Sequence, residues 1–308
     1  MIDATIAIIT YKRPVWLLRL LKSLAGQEFG DNLKIEFLVV DNACEKETEK
    51  IVNKVGDSFG RVIHYIAERK KGIVAARNTA VAFFLKSSSK NLLFIDDDEW
   101  PQRNDWAQTM VNMREACSAD IVVGPVFSVC ESSTPKWAVD LLYGHNSLVN
   151  GQVVKVFYTG NLLISRPVLE KIYPAFDRRF AMTGASDYHF ALKCFHAGFK
   201  AVYVDAAVKE EFPRSRATVS WFIRRGFRSG IGYTRSHLYE ERWISAVVRC
   251  LLMSIVRLVR GTFNITFGFF TFSKLRCVDG LFRIGSSVGT IAGFFGVKYN
   301  EYTVTHGK

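Results

Sequence analysis

The sequence predicts an α/β fold: a mostly parallel sheet flanked by helices, followed by a helical carboxyl-terminal region. Three observations point there. Strand-like and helix-like segments alternate through the first hundred residues. Three of the first four strand segments end in polar residues. From about Pro213 the chain turns basic and apolar without regular alternation.

Thr5 to Thr10 (TIAIIT) is a short β-branched run that reads as a strand. Pro14 then opens a helical stretch, WLLRLLKSLAGQ, with apolar residues at helical spacing and Gly26 near its end. Ile35 to Val40 is a second strand followed by Asp41-Asn42, and residues 45–55 read as helix. Val62 to Ala67 is extended, Ile73 to Lys86 helical, and Leu92 to Ile95 a strand running into Asp96-Asp97-Asp98-Glu99. Alternation of this kind argues for a parallel sheet under helices. Ligands of such sheets bind beyond the carboxyl ends of the strands. Thr10-Tyr11, Asp41-Asn42 and Asp96-Asp97-Asp98 therefore place a site at one sheet edge. Taken singly, each such end also serves as a turn or a helix cap.

Beyond residue 107 the alternation loosens. Ile121 to Val126, Val153 to Tyr158, Leu162 to Ser165 and Ala201 to Val204 read as extended, and Asp187 to Ala197 as a helix closed by Gly198. The natural division is residues 1–213 as the α/β domain and 214–308 as a basic, apolar helical region. In the latter, Arg214, Arg216, Arg224, Arg225, Arg228, Arg235 and Arg242 precede apolar segments that further cations interrupt. No uncharged run reaches the ~18 residues that span a bilayer. Apolar helices edged by Arg, Lys and Phe instead suit a protein lying in the membrane interface; packing on the core or in a dimer is the alternative.

A net charge of +12 over 308 residues fits nucleic acid, anionic lipid or a phosphorylated small molecule. The charge lies beside apolar segments rather than among stacking aromatics, which disfavours nucleic acid. The six scattered cysteines have no zinc-ligand spacing and read as reduced, mostly buried thiols. Met1-Ile-Asp-Ala-Thr has no basic segment followed by an apolar one, so the expectation is a cytoplasmic protein on the inner membrane surface.

Chemistry concentrates in three segments. Asp96, Asp97 and Asp98 cannot all be buried unpaired, and a hard divalent cation, Mg²⁺ or Mn²⁺, would neutralise them while sharing substrate phosphates. Gly72-Ile-Val-Ala-Ala-Arg77-Asn78 opens a helix that offers N–H groups and a guanidinium to an anion; a plain helix start with a surface Arg is the alternative. Thr183-Gly-Ala-Ser-Asp187 puts a carboxylate at a helix start, where it serves as an N-cap or as a general base.

In this order, ITYKRP (9–14), VVDNA (39–43), GIVAARN (72–78), FIDDDEWPQ (94–102), TGN (159–161) and the Asp187 helix start resemble the family 2 inverting glycosyltransferases of the GT-A fold, the nucleotide-diphospho-sugar transferase fold. The resemblance spans about residues 5–205, and the FIDDDE form is similar to the bacterial exopolysaccharide branch, including succinoglycan-type glucosyltransferases.

The resemblance implies that Thr10, Tyr11 and Arg13 line a nucleotide-sugar pocket, that Asp41 hydrogen-bonds a uracil-like base, and that Arg77 holds the nucleotide. It implies Asp96 and Asp97 on the ribose or sugar, a metal on Asp98 with Asp96, and Asp187 as the base that deprotonates an acceptor hydroxyl. The implied donor is UDP-glucose or another UDP-hexose, and the implied acceptor a lipid-linked or polysaccharide glycan. Ser186 stands where the family often has an acidic residue, and Lys12 where it has Asn. A polyprenyl-phosphate sugar synthase and a non-catalytic binding module remain rival readings. Trp137, Tyr143 and His145 are candidate sugar contacts in an acceptor-side loop.

Overall fold

The computed structural model describes residues 2–30, 33–142, 148–297 and 299. Its first part follows the periodicity closely: β1 (Ile2–Thr10), α1 (Pro14–Ala25), β2 (Ile35–Asp41), α2 (Lys46–Phe59), β3 (Ile63–Ala67), α3 (Ile73–Lys86) and β4 (Ser89–Asp96). There follow β5 (Glu99–Pro101), α4 (Trp106–Ala116), β6 (Ile121–Val123), β7 (Val126–Cys130), α5 (Lys136–Leu142), β8 (Val153–Val154), β9 (Leu162–Ser165) and α6 (Arg166–Lys171). The remainder is α7 (Ser186–His196), β10 (Ala201–Tyr203), β11 (Val208–Phe212), α8 (Val219–Glu240), α9 (Trp243–Phe270) and α10 (Lys274–Phe294).

Eight strands form one sheet in the order β3-β2-β1-β4-β9-β6-β10-β8. The first four are parallel, with Thr10 level with Asp41 and Ile9 level with Asp96. The chain steps outward from β1 through β2 to β3, then returns to β4 on β1's other side. That reversal opens a crevice at the carboxyl ends of β1 and β4. Alternation along β1 serves two cores. Ile6 and Ile8 face Leu17, Leu20 and Leu21 of α1 with Trp106 of α4, while Ala7 and Ile9 join Val74 and Phe84 of α3 with Phe190 of α7.

Two extended segments differ from expectation. The run from Ile121 breaks at Gly124-Pro125: β6 stays in the large sheet, and β7 pairs with β11 and, through it, β5 in a second, three-stranded sheet. Proline has no N–H for the ladder, and a side chain at Gly124 would collide with the Asn161 carboxamide. Of residues 153–158 only Val153 and Val154 pair. All six cysteines are free, but only Cys194 and Cys250 are buried.

Helix α8 packs along α10 at backbone distance. A methyl at Gly289 would collide with the Phe227 carbonyl and one at Gly230 with the Ser286 carbonyl, so glycine is what lets the two helices meet. Phe212, Phe222, Ala138 and Val278 form a small core joining β11, α8, α5 and α10. Among the described residues no helix is long and apolar enough to cross a membrane.

Candidate active site

The crevice holds a cavity of about 400 Å³ whose wall includes Thr10, Tyr11, Arg13, Asn42, Lys71, Gly72, Asp96, Asp97, Asp98 and Glu210. Its acidic side is built by the turn after β4. Buried Asp97 accepts from the Thr10 hydroxyl at 2.8 Å and from Arg13 at 2.9 Å. The same Arg13 nitrogen reaches Asp98 at 3.0 Å, and its guanidinium lies over Trp16 with 4.7 Å to the ring centroid. Burial pushes the Asp97 carboxyl up to about 7 against the pull of Arg13. Burial also lowers Arg13, but Asp97 and Asp98 outweigh it, and the guanidinium is held above its ordinary value.

Asp96 is raised by burial, with Arg77 opposing. The Arg77 guanidinium stands 3.9 Å from Asp96 and donates to the Ser186 hydroxyl at 3.3 Å. Arg77 is thus buried behind the acidic wall, not on the surface. Beneath it, Glu99 accepts the Asp96 backbone N–H at 2.9 Å; burial and then nearby Asp96 raise its carboxyl well above the usual range.

The loop before α3 is pinned by Asn42. Its carboxamide accepts from Gly72 N–H at 2.8 Å and donates to the carbonyls of Glu68 at 2.9 Å and Lys70 at 2.8 Å. At φ 114° and against Ala181, Gly72 occupies backbone space that a side chain would strain. Asp41 lies differently from its neighbour. It is fully buried off the cavity wall, its carboxylate accepting from Ala43 N–H at 2.7 Å, Glu45 N–H at 2.8 Å and the Tyr65 hydroxyl at 3.0 Å.

Asp187 stands in the first turn of α7, one residue inside the helix, with Ala185 at the cap in left-handed conformation (φ 67°). Its carboxylate accepts from Tyr188 N–H at 2.8 Å, and Ser186 just before it accepts from Arg77, which stands 3.9 Å from Asp96, so Asp187 lies near the acidic wall. A polar chain leads away from α7: the Tyr188 hydroxyl lies 3.0 Å from His237, His237 lies 2.8 Å from Glu241, and Glu241 accepts from Arg249 of α9 at 3.0 Å.

The structure therefore gathers Thr10, Tyr11, Arg13, Arg77, Asp96, Asp97, Asp98 and Asp187 in one region and leaves Asp41 outside the cavity. Trp137 packs edge-on against Phe222, 5.7 Å between centroids, with Lys274 above it. Tyr143 and His145 lie outside the described residues. Sequence reasoning placed Asn42 at the site's edge but gave it no role, and it missed Lys71 and Glu210 as wall residues. Lys71 adjoins a recognised motif, whereas nothing in VKEEF (208–212) singles out Glu210.

As to a metal, Asp96 and Asp98 offer carboxylate oxygens to the cavity, the hard donors that Mg²⁺ and Mn²⁺ take. Among the described residues no three His, Cys, Asp or Glu side chains converge as a cage. The pair thus fits a cation that draws further ligands from phosphate and water.

Glu210, opposite Glu99 across β11 and β5, is raised to about 7 by burial and then by Asp98. Between its ordinary value of 4.5 and about 7 the folded protein keeps a proton that the unfolded chain has released. Stability of the ligand-free protein is thus expected to fall as pH rises through that window. Glu210→Gln should flatten the fall in thermal-melting midpoints taken across it; an unchanged slope would reject the assignment.

Residues 5–173 match the family described as "Glycosyl transferase family 2". The succinoglycan biosynthesis protein ExoM of Rhizobium meliloti (strain 1021) is 28% identical over 241 residues, 77% of this chain and 75% of that protein. Among solved structures, the mannosyltransferase PcManGT from Pyrobaculum calidifontis, in complex with GDP-Man and Mn²⁺, superposes with a TM-score of 0.63 at 16% identity. That match covers 94% of this chain and 87% of the other. TarS 1–349 of S. aureus, in complex with UDP-GlcNAc, gives a TM-score of 0.53 at 14% identity, covering 100% and 95%. At these identities the structural likeness shows the GT-A fold.

Proposed function

The chain belongs to glycosyl transferase family 2, and on that premise we propose that it moves a hexose from a UDP-sugar, UDP-glucose foremost, to a hydroxyl of a lipid-linked or polysaccharide acceptor, with inversion, in exopolysaccharide assembly. The observation that carries the reading is the meeting of Asp96 and Asp98 on one cavity wall, with Asp187 close by at a helix start whose Ser186 accepts from the same Arg77 that stands beside Asp96. The succinoglycan-biosynthesis relative supports the exopolysaccharide setting, and the UDP-GlcNAc complex of TarS supports a UDP-sugar donor.

In this scheme Thr10, Tyr11 and Arg13 line the nucleotide-sugar pocket. Arg77 buttresses Asp96, and Asp41 holds the β2–α2 loop. Asp187 takes the proton of the acceptor hydroxyl as its oxygen bonds to the anomeric carbon and the bond to the diphosphate breaks. One base suffices for a single displacement, and a base on a rigid helix start is already oriented. When bound at Asp96 and Asp98, Mg²⁺ or Mn²⁺ supplies Lewis-acid stabilisation of the charge on the leaving nucleoside diphosphate.

Calorimetry with a panel of nucleotide-sugars, with and without Mn²⁺, tests this. Wild type is expected to bind a UDP-hexose only with metal. Asp98→Ala should weaken binding by at least the roughly 10–100-fold that losing a metal's supporting partner costs. A folded wild type that ignores every UDP-sugar would overturn the donor assignment; metal-independent binding would overturn the role of Asp98.

A further inference from the structure

Helix α9 is built inside out. Its small residues Ala246, Cys250, Ser254, Gly261 and Gly268 are the buried ones, and the Ser254 hydroxyl meets that of Ser287 in α10 at 2.8 Å. Its large apolar residues point away. Ile244, Val248, Leu252, Ile255, Val259 and Phe263 recur at helical spacing along one exposed face, Leu252 at 59% and Phe263 at 63% exposure. The end of α9 and the turn into α10 continue this face with Phe269, Phe270 and Phe272, the last 97% exposed. A helix on a water-facing surface shows the reverse arrangement, and a contiguous apolar face of this extent marks a contact surface.

Charge selects the occupant. Over its 28 residues α9 carries no Asp or Glu but has Arg249, Arg257 and Arg260, and Arg242 caps it. Arg242, Arg260 and nearby Lys274 are exposed. A second copy on this face would set like charges together with no carboxylate of α9 to pair them. Anionic lipid headgroups complement them. The cations recur along the helix, so it lies along a bilayer rather than through it, in keeping with the lack of a spanning helix among the described residues. A groove of about 1130 Å³ on the same face, lined by Tyr233, Trp243, Leu252 and Val256 together with Arg242 and Arg249, offers apolar walls and cations in one place.

We infer that α9 and the α9–α10 turn seat this protein in the interfacial layer of an anionic bilayer, with apolar side chains among the acyl chains and arginines at the headgroups. Arg249 joins this helix through Glu241 and His237 to Tyr188, the residue beside Asp187, so a chain of polar contacts links the seated helix to α7. The inference stands apart from glycosyl transfer: either can fail without the other.

Co-sedimentation of the full chain with phosphatidylcholine vesicles, with and without phosphatidylglycerol, tests it. Wild type is expected to pellet with the anionic vesicles and to be released by salt. Arg242→Gln with Arg260→Gln should weaken binding roughly 30-fold. Leu252→Glu, Ile255→Glu and Phe263→Glu together should abolish it while leaving circular dichroism and nucleotide-sugar affinity unchanged. Wild type in the supernatant with both vesicles, or the triple variant pelleting like wild type, would overturn the inference. A dimer that the triple variant dissolves, without vesicle binding, would assign the face to a second copy instead.

Discussion

Asp187→Asn is expected to lower sugar transfer by about 10²–10⁴-fold, the range a positioned general base contributes. The substitution keeps size and the hydrogen bond from Tyr188 N–H but removes the site that accepts the proton. Asp187 is not on the cavity wall that faces the donor, so the dissociation constant for a nucleotide-sugar should stay near that of wild type. The check is transfer of labelled hexose to a membrane-extracted acceptor alongside calorimetric donor affinity. Loss of both together would place Asp187 in donor binding instead. Transfer at the wild-type rate would point to an acceptor that arrives ionised, as a lipid phosphate does, and so to a polyprenyl-phosphate sugar synthase.

The second large effect concerns stability. Asn161, 0% exposed, accepts from the Trp106 indole N–H at 2.9 Å and donates to the carbonyls of Pro125 at 3.0 Å and Ala206 at 2.7 Å. Asn161→Ala strands an indole donor and the Ala206 carbonyl in the interior, while the Pro125 carbonyl keeps its bond from Val208 N–H, for a loss of roughly 2–4 kcal/mol. Its own φ of 55° adds strain that asparagine bears better than alanine. These bonds hold the segment between β6 and β7 and the one between β10 and β11, and β11 delivers Glu210 to the cavity. The variant should melt well below wild type yet, where folded, keep measurable metal-dependent donor binding. A melting midpoint equal to that of wild type would show that water or a rearranged loop replaces the bonds.

Asn161 also shows how a motif and its physical role come apart. TGN stands out in the sequence as part of the family pattern, but Thr159 and Asn161 are buried and Gly160 is partly covered. Thr159 and Asn161 are in the core, and Gly160 lacks a side chain because the Glu99 carboxylate lies against it. The motif keeps its residues for packing under the site, which one sequence does not distinguish from contact with a ligand. Asp41 is a similar case, its carboxylate closing the β2–α2 turn through neighbours only two and four residues on.

What the sequence by itself determined is local. Alternating runs of β-branched and helical periodicity set β1 to β4 with their helices, and polar residues at the strand ends put the acidic triplet at the sheet's carboxyl edge. Those signals lie within windows of some ten residues, where side-chain period and backbone preference agree. Tertiary structure alone decided the pairings across long stretches of chain. Arg13 meets Asp97 over 84 residues, Arg77 meets Ser186 over 109, and Glu210 enters a cavity begun by Thr10. It also decided which way α9 faces: its apolar residues surround the helix so fully that composition cannot tell inside from outside. Close approach to α10, possible only where α9 offers small residues, turned the large ones out.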